Sequence, residues 1–562
     1  MQPHGRQPAP RRSRAGALWS GHGTQEGDRE RSGQEAQRDV TAVTVPRQQR
    51  ATRPTRVFVG LAVGVAVAAL TLRLALLGRQ SYWIDELYSV NQSAGSLRQL
   101  LDVGSTEVHP PLYAVLLWGW MKIGGTSEAW TRLLSTLLTT AAVLVTYAGM
   151  RHLDLGRHVR WALTTATAAG GAWVVYSLET RNYALLLLGA TGLTVTTVRA
   201  GALVLRGLQP PARLLAPWFG WTLLAASAHP FGAVLSAGAV MVLVGVAVWC
   251  RAGRTVRTAT SWGGTALAGW IPLTVWTWRG IRQPEFAAGT TWIGAPDGRD
   301  VWEVATTAFA SGGMSPHRDG FAWTSPLGVL AAALLVGAAV VVHRRTATRP
   351  DVGALPVDRP VDLGAAAGIL LALAVVVTAS AFAVAQVWHA WTLRNMLVVV
   401  PALTWGGICL AAALSGSASG ARWTSTAAIV LLAASLVPTA TGIARPYKTD
   451  FRGLLEYLVT VQQQEPGTRV VVLGYGMAQR FWPATDRPFR DPGRAAVTGW
   501  MWAYPGTSLD VEPLAARPVV VVLYRDVAHA QDDAWAAATV QRLGPAGCRS
   551  VPLHGFGVVR CD

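Results

Sequence analysis

Apolar blocks of about 15–24 residues recur along this chain, each long enough to cross the hydrocarbon core of a bilayer as a helix. They fall at Val57–Leu77, Leu133–Met150, Trp161–Leu178, Asn182–Leu205, Leu214–Ala228, Phe231–Trp249, Ser261–Trp278, Pro326–Val342, Leu363–Ala385, Asn395–Leu414 and Ser425–Ile443, about eleven expected spans. Backbone in lipid must satisfy its own hydrogen bonds, so blocks of this kind restrict the chain to an α-helical polytopic membrane protein. Composition agrees: 51% of the 562 residues are hydrophobic and 14% are charged, less than a soluble chain of this length carries.

The formal charge of +18 does not imply nucleic acid, because the basic residues sit in short clusters between apolar blocks, where topology signals lie. Of the 49 basic residues only Lys122 and Lys448 are lysines, a bias in keeping with a GC-rich genome. One segment decides the topology. Pro110–Ile123 is apolar but only 14 residues long, the length of an interfacial or re-entrant element. If it does not cross, the clusters Arg151/Arg157/Arg160, Arg206/Arg213, Arg251/Arg254/Arg257 and Arg344/Arg345/Arg349 all face the cytoplasm, as the positive-inside rule requires. They then share that side with residues 1–56, a polar stretch expected to be a disordered basic tail. No apolar h-region follows a short charged start, so Val57–Leu77 is expected to stay in the membrane as an anchor.

The outer surface then receives Arg79–His109, the Glu179–Arg181 and His229–Pro230 turns, Arg279–Ser325, Gln386–Arg394 and everything after Arg445. Residues 57–443 form the membrane domain. Residues 444–562 change character: Asp450–Gln464 has helical spacing through Phe451, Leu454, Leu455 and Leu458, Arg469–Leu473 and Pro518–Tyr524 are short β-branched runs, and Asp532–Leu543 looks helical. A small extracytoplasmic α/β domain is expected there. Cys548 and Cys561 flank two runs that can pair as a hairpin, and a disulfide is expected between them on the oxidising side. Cys250 and Cys409 lie in or beside apolar blocks, and no cysteine or histidine cluster has metal-ligand spacing.

Several pieces on the outer side could carry chemistry. Trp83-Ile84-Asp85-Glu86-Leu87-Tyr88 follows the first span, and adjacent carboxylates at a membrane edge are costly unless solvated or paired. Asp85 could serve as a general base on an acceptor hydroxyl, with Glu86 orienting it or contacting the acceptor; the plainer reading is a solvated helix start. His109-Pro110-Pro111-Leu112-Tyr113 gives an extended lead-in to the short apolar segment. In Tyr176-Ser177-Leu178-Glu179-Thr180-Arg181-Asn182-Tyr183, Arg181 either pairs with Glu179 across a turn or grips a phosphate with its fork of donors. Arg394-Asn395 is a second such candidate. His229-Pro230 reads first as a helix break, and Arg73, inside the first span, as a snorkelling residue. The long Arg279–Ser325 loop has the length of a lid or binding element. The chain has no Walker A sequence, no dinucleotide fingerprint and no Asp-x-Asp pair for a nucleotide-sugar.

Taken together, Asp85-Glu86, His109-Pro110-Pro111-Leu112-Tyr113, Arg132, Glu179-x-Arg181-x-Tyr183, Arg394-Asn395 through Pro401, and Pro446-Tyr447 with Asp450-Phe451-Arg452-Gly453 resemble the family 39-like glycosyltransferases. These belong to the GT-C group with the protein O-mannosyltransferases and lipid A aminoarabinose transferases. The likeness runs from about Val57 to Trp482; many members carry Tyr after the late arginine, where this chain has Asn395. The resemblance implies a GT-C-like fold and inverting transfer of a sugar, mannose or another hexose or pentose, from a polyprenyl-phosphate carrier to an extracytoplasmic hydroxyl. It implies Asp85 and Glu86 as catalytic residues, Arg181 and Arg394 on the donor phosphate, and His109, Tyr113, Glu179, Tyr183 and His229 as substrate-binding. The implied partners are the polyprenyl-phosphate-linked sugar, membrane lipid and an acceptor glycan, lipid or protein, with no nucleic acid. No cofactor is implied, and metal dependence stays open. A transporter or a membrane scaffold is the competing reading. Transporters favour repeated halves and charges near the midplane, whereas here no repeat is visible and the charges gather at one face.

Overall fold

The computed structural model describes residues 53–104, 107–153, 155–250, 255–283, 293–307, 363–444, 448–473, 500–503, 518–524, 548–553 and 556–562. The expected tail before Arg53, the Pro326–Val342 span, the Arg344/Arg345/Arg349 cluster and the Asp532–Leu543 helix lie outside these residues.

Seven described helices are long and apolar enough to cross a membrane: Arg56–Leu76, Glu128–Met150, Tyr183–Leu205, Pro230–Trp249, Leu363–Val387, Asn395–Leu414 and Ala418–Ala444. Three further expected spans are shorter or broken. Leu215–Ala228 is a helix of 14 residues. Trp161–Leu178 divides at Gly170 into Arg157–Ala169 and Gly171–Ser177. A Cβ at Gly170 would meet the Ala166 carbonyl at 2.4 Å, so the break depends on glycine. Ser261–Trp278 divides at Trp270 into Thr255–Gly269 and Ile271–Gly280. Pro272 accounts for this break, because it has no N–H to continue the ladder and its ring crowds the preceding turn.

Tyr183–Leu205 is the inner helix of the bundle, packed against Glu128–Met150, Leu215–Ala228 and Pro230–Trp249. Small residues let the backbones close in. A Cβ on Gly189 would sit 2.9 Å from the Ala225 backbone.

The short apolar segment forms the helix Leu112–Gly124. Near its start the Tyr113 hydroxyl bonds Ser135, and near its end Trp120 stacks on Trp130. Both partners lie in the first turns of Glu128–Met150, so the segment packs against the start of that helix. At the opposite end, Phe58 of the first span stacks on His158, which in turn feels the charge of Arg422. Arg73 does not snorkel. It is buried and donates to the Ala168 carbonyl, in the last turn before the Gly170 break.

Beyond the last span, Phe451–Gln464 is capped by Asp450, whose carboxylate accepts from the Gly453 N–H at 2.9 Å. A five-stranded sheet follows, from β1 (Arg469–Leu473), β2 (Trp500–Ala503), β3 (Val519–Tyr524), β4 (Cys548–Leu553) and β5 (Phe556–Cys561), in the order β2-β1-β3-β5-β4. β1 is parallel to both neighbours, while β5 runs antiparallel to β3 and β4. Val519 to Val522 are fully buried, and Phe451 meets Phe556 edge-on, seating the helix on the sheet. Cys548 and Cys561 face each other in the β4–β5 register and form a disulfide. Arg452 ties this domain to the membrane part: its N–H donates to the Ser81 hydroxyl at 3.0 Å and its guanidinium pairs with Glu128 at 3.1 Å.

Candidate functional site

The site begins where the chain leaves the first span. Ile84–Ala94 is helical, and its first turn carries Asp85 and Glu86. A helix N-terminus favours carboxylates, and consecutive residues project about 100° apart around the axis. The two acids therefore enter different surroundings.

Glu86 points into the protein and has no exposed surface. Arg132 grips it bidentately, Nε to Oε1 and Nη2 to Oε2, both at 2.8 Å. The Thr180 N–H donates to Oε1 at 2.8 Å, and the Lys448 ammonium to Oε2 at 2.9 Å. Arg132 also donates to the carbonyls of Leu77, Gln80 and Ser81, closing the end of the first span. Burial would raise the Glu86 carboxyl, but Arg132 and Lys448, with the bonds from Arg132 and Thr180, hold it down at about 2. Lys448 is itself pushed down by burial. Glu179 is sealed beside this cluster. Its nearest cation among the described residues is Lys448 at 3.9 Å, and neither of its oxygens has a hydrogen-bond partner there. Burial pushes its carboxyl up.

Asp85 turns the other way and is 31% exposed. Arg394 donates from Nη1 to its carboxylate at 2.9 Å, and the Arg181 guanidinium lies 3.9 Å away. Arg181 also donates to the Asp85 carbonyl at 3.3 Å and to the Ser89 hydroxyl at 3.1 Å. The expected turn pair of Glu179 with Arg181 does not form; Arg181 faces Asp85. Tyr183 lies beneath both guanidiniums, 5.8 and 5.9 Å from its ring centre, and Trp83 lies 5.1 Å from that of Arg394. One carboxylate and two guanidiniums meet at this mouth, and the Glu107 carboxylate acts on Arg181 from beside it. Arg181 Nε is buried and has no partner among the described residues, which leaves one donor unspent.

An open-sided cleft adjoins the mouth, lined among others by Tyr88, Ser89, Glu107, His109, Tyr113 and Arg181. The His109 ring stands 4.8 Å from that of His229. His229 is buried, and its Nδ1 accepts from the Phe231 N–H at 3.1 Å, so it caps the helix after the break. Burial, followed by the proximity of His109, holds its imidazole well below the usual range and therefore neutral.

The structure thus brings Asp85, Arg181, Arg394, His109, Tyr113 and Tyr183 around one opening and seals Glu86 and Glu179 behind it. Neither Glu86 nor Glu179 has exposed surface at the opening. Sequence reading missed Ser89, Glu107 and Lys448. Of these, Lys448 had a signal, as one of two lysines in an arginine-rich chain. Among the described residues, no group of three or more His, Cys, Asp or Glu is arranged to hold a metal ion.

No protein-family model matches this chain, and no curated protein matches it. Among solved structures it is similar to ArnT from Cupriavidus metallidurans in the apo state, at 15% identity and a TM-score of 0.42 over 89% of this chain and 98% of that one. It is similar to ArnT from Cupriavidus metallidurans bound to undecaprenyl phosphate at 14% identity and a TM-score of 0.41, with the same coverage. The S. cerevisiae protein O-mannosyltransferase Pmt1-Pmt2 complex bound to the sugar donor matches at 16% identity and a TM-score of 0.31, over 44% of this chain and 36% of that one.

Proposed function

We propose that this chain is a GT-C-type membrane glycosyltransferase that moves a sugar from a polyprenyl-phosphate carrier to a hydroxyl acceptor. The observation that carries this reading is the mouth itself: a partly exposed carboxylate faced by two arginines. A lipid-linked phosphate reaches such a site from the bilayer, and two guanidinium forks suit its oxygens.

The reaction then divides among the residues. The acceptor O–H gives its proton to Asp85 as its oxygen attacks the anomeric carbon. The new C–O bond forms on the face opposite the phosphate, and the bond from that carbon to the phosphate oxygen breaks. The electron pair leaves with the polyprenyl phosphate, whose growing charge Arg181 and Arg394 offset. A single displacement of this kind inverts the anomeric configuration. Glu86 positions Asp85 by fixing the helix turn they share. His109, Tyr113 and Tyr183 border the space for the sugar.

We further read the mouth and the 444–562 domain as extracytoplasmic. The arginine-rich turns at the other end of the bundle support this by the positive-inside rule. Reporter fusions at Leu155 and Ala295 should report inside and outside respectively; the same side for both would sink the orientation. The activity is tested with purified full-length protein in lipid, supplied with polyprenyl-phosphate mannose or another hexose or pentose and a hydroxyl acceptor panel. Release of polyprenyl phosphate with formation of an inverted glycoside is the expected result. Failure of polyprenyl phosphate to bind at all would remove the proposal.

A further inference from the structure

Glu107 belongs to none of the groups used so far, yet it is built firmly into the cleft. The Trp276 indole donates to its backbone carbonyl at 3.0 Å. Its carboxylate accepts from the Tyr88 hydroxyl and stands 3.8 Å from His109 Nδ1. That carboxylate is 14% exposed, which leaves it open to the cleft but largely shielded from bulk water. Arg181 lines the same cleft, and its guanidinium reaches Asp85 and Ser89 at the mouth.

This arrangement sets a direction. In a polyprenyl-phosphate sugar the phosphate is joined directly to the anomeric carbon. With the phosphate on Arg181 and Arg394, the sugar ring enters the cleft, and its far hydroxyls approach Glu107. A carboxylate there accepts hydrogen bonds from hydroxyl pairs. It also repels a second carboxylate in a poorly hydrated space. We infer that Glu107 is a specificity-determining residue that receives the hydroxyls of a neutral sugar and excludes uronic-acid sugars from the cleft. This rests on the proposed polyprenyl-phosphate reading and deepens it by naming the sugar class.

The test measures binding of three lipids to the full-length protein at pH 8, where an ordinary imidazole is neutral. They are sugar-free polyprenyl phosphate, the same lipid bearing a neutral hexose, and the same lipid bearing a hexuronate. The native protein should bind the hexose lipid at least about tenfold more tightly than the hexuronate lipid. In Glu107→Gln that ratio should fall to within about threefold, while the sugar-free lipid, which does not reach Glu107, binds as before. A ratio that survives in Glu107→Gln, or is absent from the native protein, overturns the inference and leaves the polyprenyl-phosphate reading standing. Loss of sugar-free lipid binding by the native protein overturns both. If Glu107→Gln is not recovered folded, Glu107→Asp carries the test by drawing the carboxylate back by one methylene. The hexose lipid should then bind several-fold more weakly with the sugar-free lipid unmoved; no change in hexose binding overturns the inference.

Discussion

Asp85 and Glu86 are neighbours on one helical turn, and they divide the site into two regions with opposite rules. Around Glu86, two cations and the backbone N–H groups of Thr180 and Trp83 converge in a space closed to water. Around Asp85, two arginines share one carboxylate that is still 31% exposed. A group that is fully coordinated and sealed can hold a structure together but cannot exchange a proton with a substrate. A group that is partly coordinated and open can do so. The same residue chemistry thus becomes architecture in one region and, in the proposed reaction, reactivity in the other, and the difference lies in the neighbours.

The largest expected effect tests the open region. Asp85→Asn keeps size and much of the hydrogen bonding but cannot take the acceptor proton. Turnover should fall about 10²–10⁴-fold, the range of a general base. Because the acid is partly exposed, unfolding stability should change by no more than about 1 kcal/mol. Donor affinity should hold or rise, since the arginines lose a competing carboxylate. A folded variant with near-normal turnover would place the base elsewhere, with His109 the next residue to test.

Glu86→Gln should show the reverse. Breaking a buried ion pair by neutralising one partner costs about 3–5 kcal/mol, because Arg132 and Lys448 keep their charges without a counter-ion. The unfolding midpoint in detergent should fall accordingly. Loss of turnover with no loss of stability would reverse the roles given to the two acids.

A pH series sharpens the same point. The Glu86 carboxyl is held below its ordinary value, so its contribution is complete above about 4.5 and is lost as pH falls toward about 2. The stability gap between the native protein and Glu86→Gln, on the order of 3 kcal/mol by linkage, should therefore close across that window. Glu179 works in the opposite sense, since its raised carboxyl gains from protonation as pH falls, and it gains less in Glu86→Gln, where the Glu86 charge that helps raise it is gone. A gap that stays constant between pH 5 and 2 would mean the Glu86 cluster is not ionised as described.

Much of this was legible in the sequence, though unevenly. Bilayer-length blocks placed the long helices, and the short apolar block is the helix Leu112–Gly124, shorter than any of them. Helix breaks were harder, because hydropathy over a window averages away one Gly170 or Pro272 that redirects the backbone. Adjacent Asp85 and Glu86 were visible as a pair, but their assignment depends on the phase of the helix against the bundle, which no local pattern sets. Lys448 could have been weighed more heavily. Its compact ammonium fits between Glu86, Glu179 and the Leu178 carbonyl, where a planar guanidinium would need more room. Glu107 had no motif at all; only folding brings it to Tyr88 and Arg181. The β4–β5 hairpin was signalled by its cysteines, whereas the sheet order and strand β2 depend on long-range pairing that composition does not encode.

The smallest expected effect separates charge from shape within the open region. Arg181→Lys keeps one positive charge, so a mouth that attracted the donor by charge alone would bind it almost unchanged. The Arg181 guanidinium, however, spends Nη1 on the Asp85 carbonyl and Ser89, while Nη2 stands 3.9 Å from the Asp85 carboxylate. A guanidinium can therefore hold its place with one edge and present another to the phosphate, which a lysine ammonium on a flexible stem cannot do. The variant should bind polyprenyl phosphate about tenfold more weakly, or about 1.4 kcal/mol. Arg394→Lys should weaken it less, because the guanidinium atom nearest Asp85 already gives a single bond at 2.9 Å, which an ammonium can imitate. Equal losses in the two variants would show that the mouth reads the phosphate as a point charge, and the distinction between the two arginines would fall.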